Sequence, residues 1–163
     1  MARAAKQTAT QLRALGAPDL ERMAAIDQAQ SGRSRRRFLE KRLATALEHP
    51  DDYLQLGLEL DGQLAGYVLA RILRGEFGHT EPVAAFDMIG VDQRLQERGY
   101  GHLLMDGLRT ALQKRGITRL HSQSEWTSHA MLRFFDSTGF KLASRVVLER
   151  EVSRPLREEI AEF

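Results

Sequence analysis

The stretch from Ile89 to Gln113, IGVDQRLQERGYGHLLMDGLRTALQ, limits what this chain can fold into more than any other. It opens on the end of an apolar run (Val83, Ala84, Ala85, Phe86, Met88, Ile89, Val91) and passes through a polar loop with glycines at 99 and 101. It then continues with Leu103, Leu104, Leu108, Ala111 and Leu112 at helical spacing, while Asp106, Arg109 and Gln113 fall on the other side. The pattern is strand, glycine loop, helix, with Gly99 and Gly101 where the first helical turn opens.

A helix start carries backbone N–H groups without an intrahelical partner and the positive end of the macrodipole, so it suits an anion. Glycines there let a phosphate approach the main chain, although glycines also mark ordinary turns. Two common nucleotide patterns are not met. The residue three after Gly101 is Leu104 rather than glycine, and the P-loop lysine motif is missing.

The stretch resembles the acetyl-coenzyme A loop of the GCN5-related N-acetyltransferase (GNAT) superfamily: Arg or Gln, two residues, Gly, one residue, Gly or Ala. Gln96, Gly99 and Gly101 fill that signature, and a second one lies near Phe135 to Phe140. The resemblance implies an α/β fold, a twisted mixed sheet of six to seven strands flanked by about four helices. The length suits one domain, over residues 10–163, and the small, polar residues 1–9, without period, read as a flexible tail.

Local patterns supply the same element order. A short strand at Thr10 to Leu15 precedes a helix from Pro18-Asp19 to Ser31-Gly32. A second helix follows from about Ser34, with Phe38, Leu39, Leu43 and Leu47 on one face. Strands at Tyr53–Leu60 and Leu64–Leu73 flank an Asp61-Gly62 hairpin turn. After the central strand and helix come a strand at Ile117–Ser122, a helix at Ser128–Ser137 and a final strand through Val146, Val147 and Leu148.

In the resembled family the strands before and after the glycine-loop helix splay apart and the pantetheine arm lies between them. The implied cofactor is acetyl-CoA, with the main chain of Gln96, Glu97, Arg98, Gly99, Tyr100, Gly101 and His102 around the pyrophosphate. Main chain at Ile89 and Val91 would meet the pantetheine and the thioester carbonyl. Such donors, aimed at a developing oxyanion, are worth about 3 kcal/mol each. Arg98 either adds a contact to phosphate or is an ordinary surface arginine.

Transfer of an acetyl group to an amine also needs a base and an acid. Asp87 is the first candidate for the base, a carboxylate in an otherwise apolar strand, which in a regular strand shares a face with Ile89 and Val91. A buried charge is costly unless paired or functional, so the alternatives are an arginine partner or solvent. Glu76, Glu81 and Glu125 are reserves, and His79 is a titratable neighbour. For the acid the chain departs from the family. Ser128, Met131 and Phe135 stand where Asn, Ala and Tyr are usual, and Phe135 has no proton to give. Ser124, Ser128, water or unassisted thiolate departure remain. Phe134 and Phe135 either pack on the cofactor or join the core.

Arg33, Arg35, Arg36 and Arg37 crowd a helix start, where cations oppose the macrodipole. They read either as a solvated face or as a contact to an anion, with Arg33 and Arg35 as candidates for the acceptor. Trp126 walls the acceptor pocket or serves as a packing plug, and His121 reads as structural. The five histidines lack ligand spacing, so no metal is expected.

The 163 residues contain no cysteine, which removes disulfides and a cysteine-linked acyl intermediate. A formal charge of +2 does not call for nucleic acid, and no apolar run reaches a membrane span or a signal-peptide core. A cytoplasmic protein is expected. The reading is an acetyl-CoA-dependent N-acetyltransferase acting on a small-molecule or peptide amine by direct attack in a ternary complex; the resemblance leaves room for a homodimer. The alternative is a coenzyme-binding regulatory module without turnover. A nucleic-acid-binding protein rests on the arginine cluster alone.

Overall fold

The computed structural model describes residues 9–78 and 80–153. His79 and the expected tail up to residue 8 lie outside the described residues. The chain runs β1 (Thr10–Ala14), a 3-10 turn at Ala17–Asp19, α1 (Leu20–Ser31), α2 (Arg36–Glu48), β2 (Tyr53–Leu60) and β3 (Gln63–Arg74). A 3-10 turn at Glu76–Gly78 leads to β4 (Pro82–Val91), and another at Gln93–Leu95 to α3 (Tyr100–Lys114). The chain then forms β5 (Leu120–His121) and α4 (His129–Ser137).

The five strands lie in sequence order. β1 to β4 are antiparallel neighbours, and β5 joins β4 in parallel. The first hairpin is tight because Asp61 and Gly62 both take positive φ, 49° and 82°. α3 begins where Gly99, at φ 82° with its side of the chain open, turns the loop into the helix.

Period-two alternation in β3 divides the core between two faces. Val68, Ala70 and Ile72 join Leu104, Met105, Leu108 and Leu112 of α3, together with Leu54, Leu58, Phe86, Val91 and Phe135. On the other face Tyr67 and Leu69 join Met23 and Ile26 of α1, Leu39 and Leu43 of α2, and Met88 of β4. Gly90 permits the closest approach on this second face, since a Cβ there would stand 2.6 Å from Cε1 of Tyr67.

Four expectations are corrected. The sheet has five strands among the described residues rather than six or seven. The strand expected at Ile117–Ser122 is cut to Leu120–His121. No strand forms through Val146, Val147 and Leu148, which are 81, 70 and 89% exposed. Their pattern suits a strand, but a strand also needs a neighbouring edge. On α2 the buried face is Leu39, Leu43 and Ala46, while Phe38 and Leu47 are 45 and 49% exposed.

Candidate active site

The pairing of β4 with β5 is confined to Ala84 opposite Leu120 and Ala85 opposite His121. From Phe86 to Val91 β4 continues beside β3 alone, so a gap opens on its other side. The base of the gap is filled by aromatic rings. Phe86 meets Phe135 edge-on at 5.5 Å between centroids, and Phe135 meets Phe140 at 4.7 Å.

Phe135 is 8% exposed and belongs to this core. Phe134, one residue earlier, takes the other direction: its Cε2 stands 3.0 Å from where a Cβ on Gly101 would be, and its ring lies edge-on to His102 at 5.8 Å. α4 therefore seats on the first turn of α3, which the missing side chain at Gly101 makes room for.

The far end of the gap is the loop 96–102. The first hydrogen bond inside α3 runs from the Leu103 N–H to the Gly99 carbonyl at 3.0 Å, which leaves the N–H groups of Tyr100, Gly101 and His102 outside the helical ladder. Glu97 at φ 62° and Gly99 at φ 82° turn the backbone around this point. Gln96 lies against the strand end, its Nε2 donating to the Val91 carbonyl at 3.4 Å. An extended thioester arm beside β4 with its phosphates at the start of α3 suits this geometry, because backbone donors rather than side chains face the anion.

Asp87 occupies a β-bulge. The register of β3 against β4 passes from Leu69 opposite Met88 to Ala70 opposite Phe86, so Asp87 has no opposite number. Regular alternation would have put Asp87 with Ile89 and Val91; the bulge puts it on the α2 face. Arg71 Nε donates to both carboxylate oxygens, at 3.0 and 3.1 Å, and Arg42 of α2 stands 3.4 Å from Oδ2. Arg42 itself lies 5.5 Å from the ring centroids of Phe38 and of Tyr53. Beside Arg71 opens a recess of about 390 Å3, lined among others by His49, Asp52, Tyr53, Arg74 and Glu76. Arg71 thus holds Asp87 and lines the same recess as Glu76. Glu81 is exposed just before β4, and Glu125 and Trp126 are exposed on the β5–α4 connection. With 85% exposure Trp126 is not a packing plug.

Two of the four arginines in the cluster are committed within the fold. Arg35 forms a bidentate pair with Asp27, a residue only 2% exposed, and Arg36 reaches Glu21 at 2.6 Å and Glu40 at 3.1 Å. Arg33 lies exposed on the α1–α2 connection. Ser128 starts α4 without a side-chain cap bond. No group of three or more histidine or carboxylate side chains is arranged for a metal among the described residues. No helix among them is long and apolar enough to cross a membrane.

Sequence reasoning missed Arg22, Arg42, Arg71 and Asp92. Asp92 was findable, since an aspartate two residues before a loop N–H is a common local cap, and its Oδ1 accepts from the Arg94 N–H at 3.0 Å. Arg22, whose partner Asp92 is 70 residues away, leaves no local trace.

The sequence model of the Acetyltransferase (GNAT) family matches residues 20–140, the stretch from α1 through Phe140. The chain belongs to this GNAT family. Among curated proteins, this GNAT chain is 28% identical over 92 residues to a ribosomal protein bS18-alanine N-acetyltransferase of Salmonella typhimurium. The match covers 56% of the chain and 57% of that protein. The corresponding Escherichia coli K12 protein is 27% identical over the same length, so the chain spans little more than half of these relatives.

Among solved structures the GNAT fold recurs in aminoglycoside N-acetyltransferase AAC(6')-Iy in complex with CoA. The TM-score is 0.77 at 17% identity, over 90% of this chain and 97% of that one. It recurs also in the ribosomal-protein-alanine N-acetyltransferase of Brucella melitensis biovar Abortus, with a TM-score of 0.69 at 18% identity over 88% and 99% of the two chains. At these identities the likeness is one of fold.

Proposed function

We propose that this chain is an acetyl-CoA-dependent N-acetyltransferase that moves the acetyl group onto a primary amine by direct attack in a ternary complex. The observation that carries the reading is the gap beside Phe86–Val91, which leads straight to the donor-rich start of α3. The thioester supplies the acetyl group. The chain's own residues hold it, with Gln96 to His102 at the phosphates and the main chain of Ile89 and Val91 at the arm and carbonyl. Similar folds crystallised with CoA and with a bisubstrate analogue support this use of the gap.

The acceptor amine approaches from the α2 face. Asp87 projects there, with the recess around Arg71 and Glu76 beside it. Its carboxylate is oriented by hydrogen bonds from Arg71 and an ion pair with Arg42 at 3.4 Å, and its remaining lone pairs can take a proton from the amine directly or through water. Glu76, which lines the recess, is the reserve for that role. Phe135 cannot return a proton to the departing thiolate, so solvent does so.

Titration calorimetry of the protein with acetyl-CoA, followed by an acceptor screen, tests the proposal. The screen begins with aminoglycosides and with peptides bearing an N-terminal alanine, the substrate types in the names of the similar proteins. Saturable binding and an acetylated amine are expected. Binding without any acetylated product would favour the second reading, a coenzyme-binding module without turnover, for which the ring at Phe135 in place of a tyrosine is the specific observation. No binding would end both.

A further inference from the structure

Asp92, the first residue after β4, is 7% exposed, and three separate elements meet on it. Its N–H donates to the Ala65 carbonyl of β3 at 2.8 Å, and its own carbonyl accepts from the Leu95 N–H at 2.8 Å. Its carboxylate receives the Arg94 N–H at 3.0 Å, the Arg94 guanidinium at 3.2 and 3.3 Å, and the guanidinium of Arg22 from α1. Arg22 uses its Nε to bond the Leu64 carbonyl at 3.0 Å. One arginine on α1 thereby ties the end of β4 to the beginning of β3, four residues before Gln96.

The loop that follows contains two backbone positions at positive φ, Glu97 and Gly99, and its N–H groups must face an anion together. A loop held in its binding shape loses less conformational entropy when a ligand arrives. Arg22 is 38% exposed at the side chain and contributes little to the apolar core, so its two bonds act mainly on where the loop begins.

We propose that Arg22 and Asp92 are positioning residues for the coenzyme: they fix the start of the 96–102 loop against β3 and so set the affinity for acetyl-CoA without touching it. The inference rests on the acetyl-CoA reading above.

The test is calorimetric titration of the full chain with CoA, together with steady-state kinetics on whichever amine the screen identifies. Arg22→Met keeps the apolar stem and removes both bonds. It is expected to weaken CoA binding about tenfold and raise the acetyl-CoA KM alike, with kcat and the acceptor KM within about twofold of the natural protein. Arg22→Lys, which keeps the charge toward Asp92, should recover part of the loss. Against Asp92→Asn the effect of Arg22→Met should shrink, because the pair is already broken. Hydrogen exchange should speed up at 93–102 and stay unchanged in the α2 face of the sheet.

Unchanged CoA affinity in folded Arg22→Met, or equal losses for both substrates, overturns the positioning role while leaving the acetyltransferase reading intact. Failure of the natural protein to bind CoA overturns both.

Discussion

Asp87 and Ile89 stand two positions apart on β4, yet Asp87 pairs with Arg42 of α2 while Ile89 packs with the cluster under α3. The bulge opposite Leu69 and Ala70 is the cause, because the extra residue shifts the alternation by one. Without the bulge Asp87 would share the face of Ile89 and Val91; with it Asp87 turns toward α2, and several outcomes follow from this and from neighbouring features.

Asp87→Asn keeps the shape of the side chain and removes its charge. With an amine acceptor, kcat/KM is expected to fall about 100-fold, in the range general-base removal commonly costs, while CoA affinity by calorimetry stays as in the natural protein. A matching loss of CoA affinity would show that the carboxylate supports the fold of β4 rather than the acceptor.

The Tyr67 hydroxyl is buried and has no hydrogen-bond partner among the described residues, and burial pushes its ionisation well above the ordinary phenol value of 10.0. A buried polar group without a partner is a cost of about 1–3 kcal/mol. Tyr67→Phe should therefore leave stability unchanged or raise it, read as an equal or higher urea midpoint. A clear drop would reveal a bound water on the hydroxyl.

Gly90→Ala would push a methyl to 2.6 Å from Cε1 and 2.8 Å from Cζ of Tyr67, and to 3.0 Å from Cγ2 of Ile26. Overpacking of this kind costs about 1–3 kcal/mol, so the thermal midpoint should fall while the protein stays folded at room temperature. The ring and the strand both shift, and coenzyme binding should weaken with it.

Two carboxyls give the chain an acid-sensitive stability. Arg13 holds Asp19 below the ordinary value of 3.8 by hydrogen bonds, against the opposing effect of burial. Arg94, helped by its own N–H and by Arg22, holds Asp92 below the same value, again against burial. The unfolded chain takes up these protons near pH 4 while the folded chain does not, so unfolding binds protons and stability drops as pH falls. Urea midpoints should be level from pH 7 to about pH 5 and decline progressively below it. Asp92→Asn should flatten part of that decline, and an unaltered slope in the variant would remove Asp92 from the account.

What the chain disclosed in advance followed from local chemistry. The loop between β4 and α3 was readable because Gly99 and Gly101 sit beside an apolar stripe, and the first hairpin because Asp61-Gly62 suits a two-residue turn. α4 emerged one residue inside its expected start, with Ser128 at the boundary.

The site's finer geometry depended on partners far away in sequence. Counting in twos gives Asp87 the face of Ile89 and Val91, and a bulge defeats that count. The pairs of Arg22 with Asp92 and of Arg35 with Asp27 join separate elements, so charge runs alone did not separate a binding patch from internal ion pairs. Val146 to Leu148 match a strand pattern, but the pattern carries no information about whether an edge is waiting for them.

On the proposed reading, the irregularity in β4 turns Asp87 toward the acceptor on the α2 side while the coenzyme keeps to the gap and the start of α3, so the two recognition problems can drift apart. Replacements on α2 and around Arg71 can remodel which amine is accepted while the ledge beneath α3 goes on gripping the same nucleotide. On that reading a single extra residue in a strand is what would make this scaffold re-targetable.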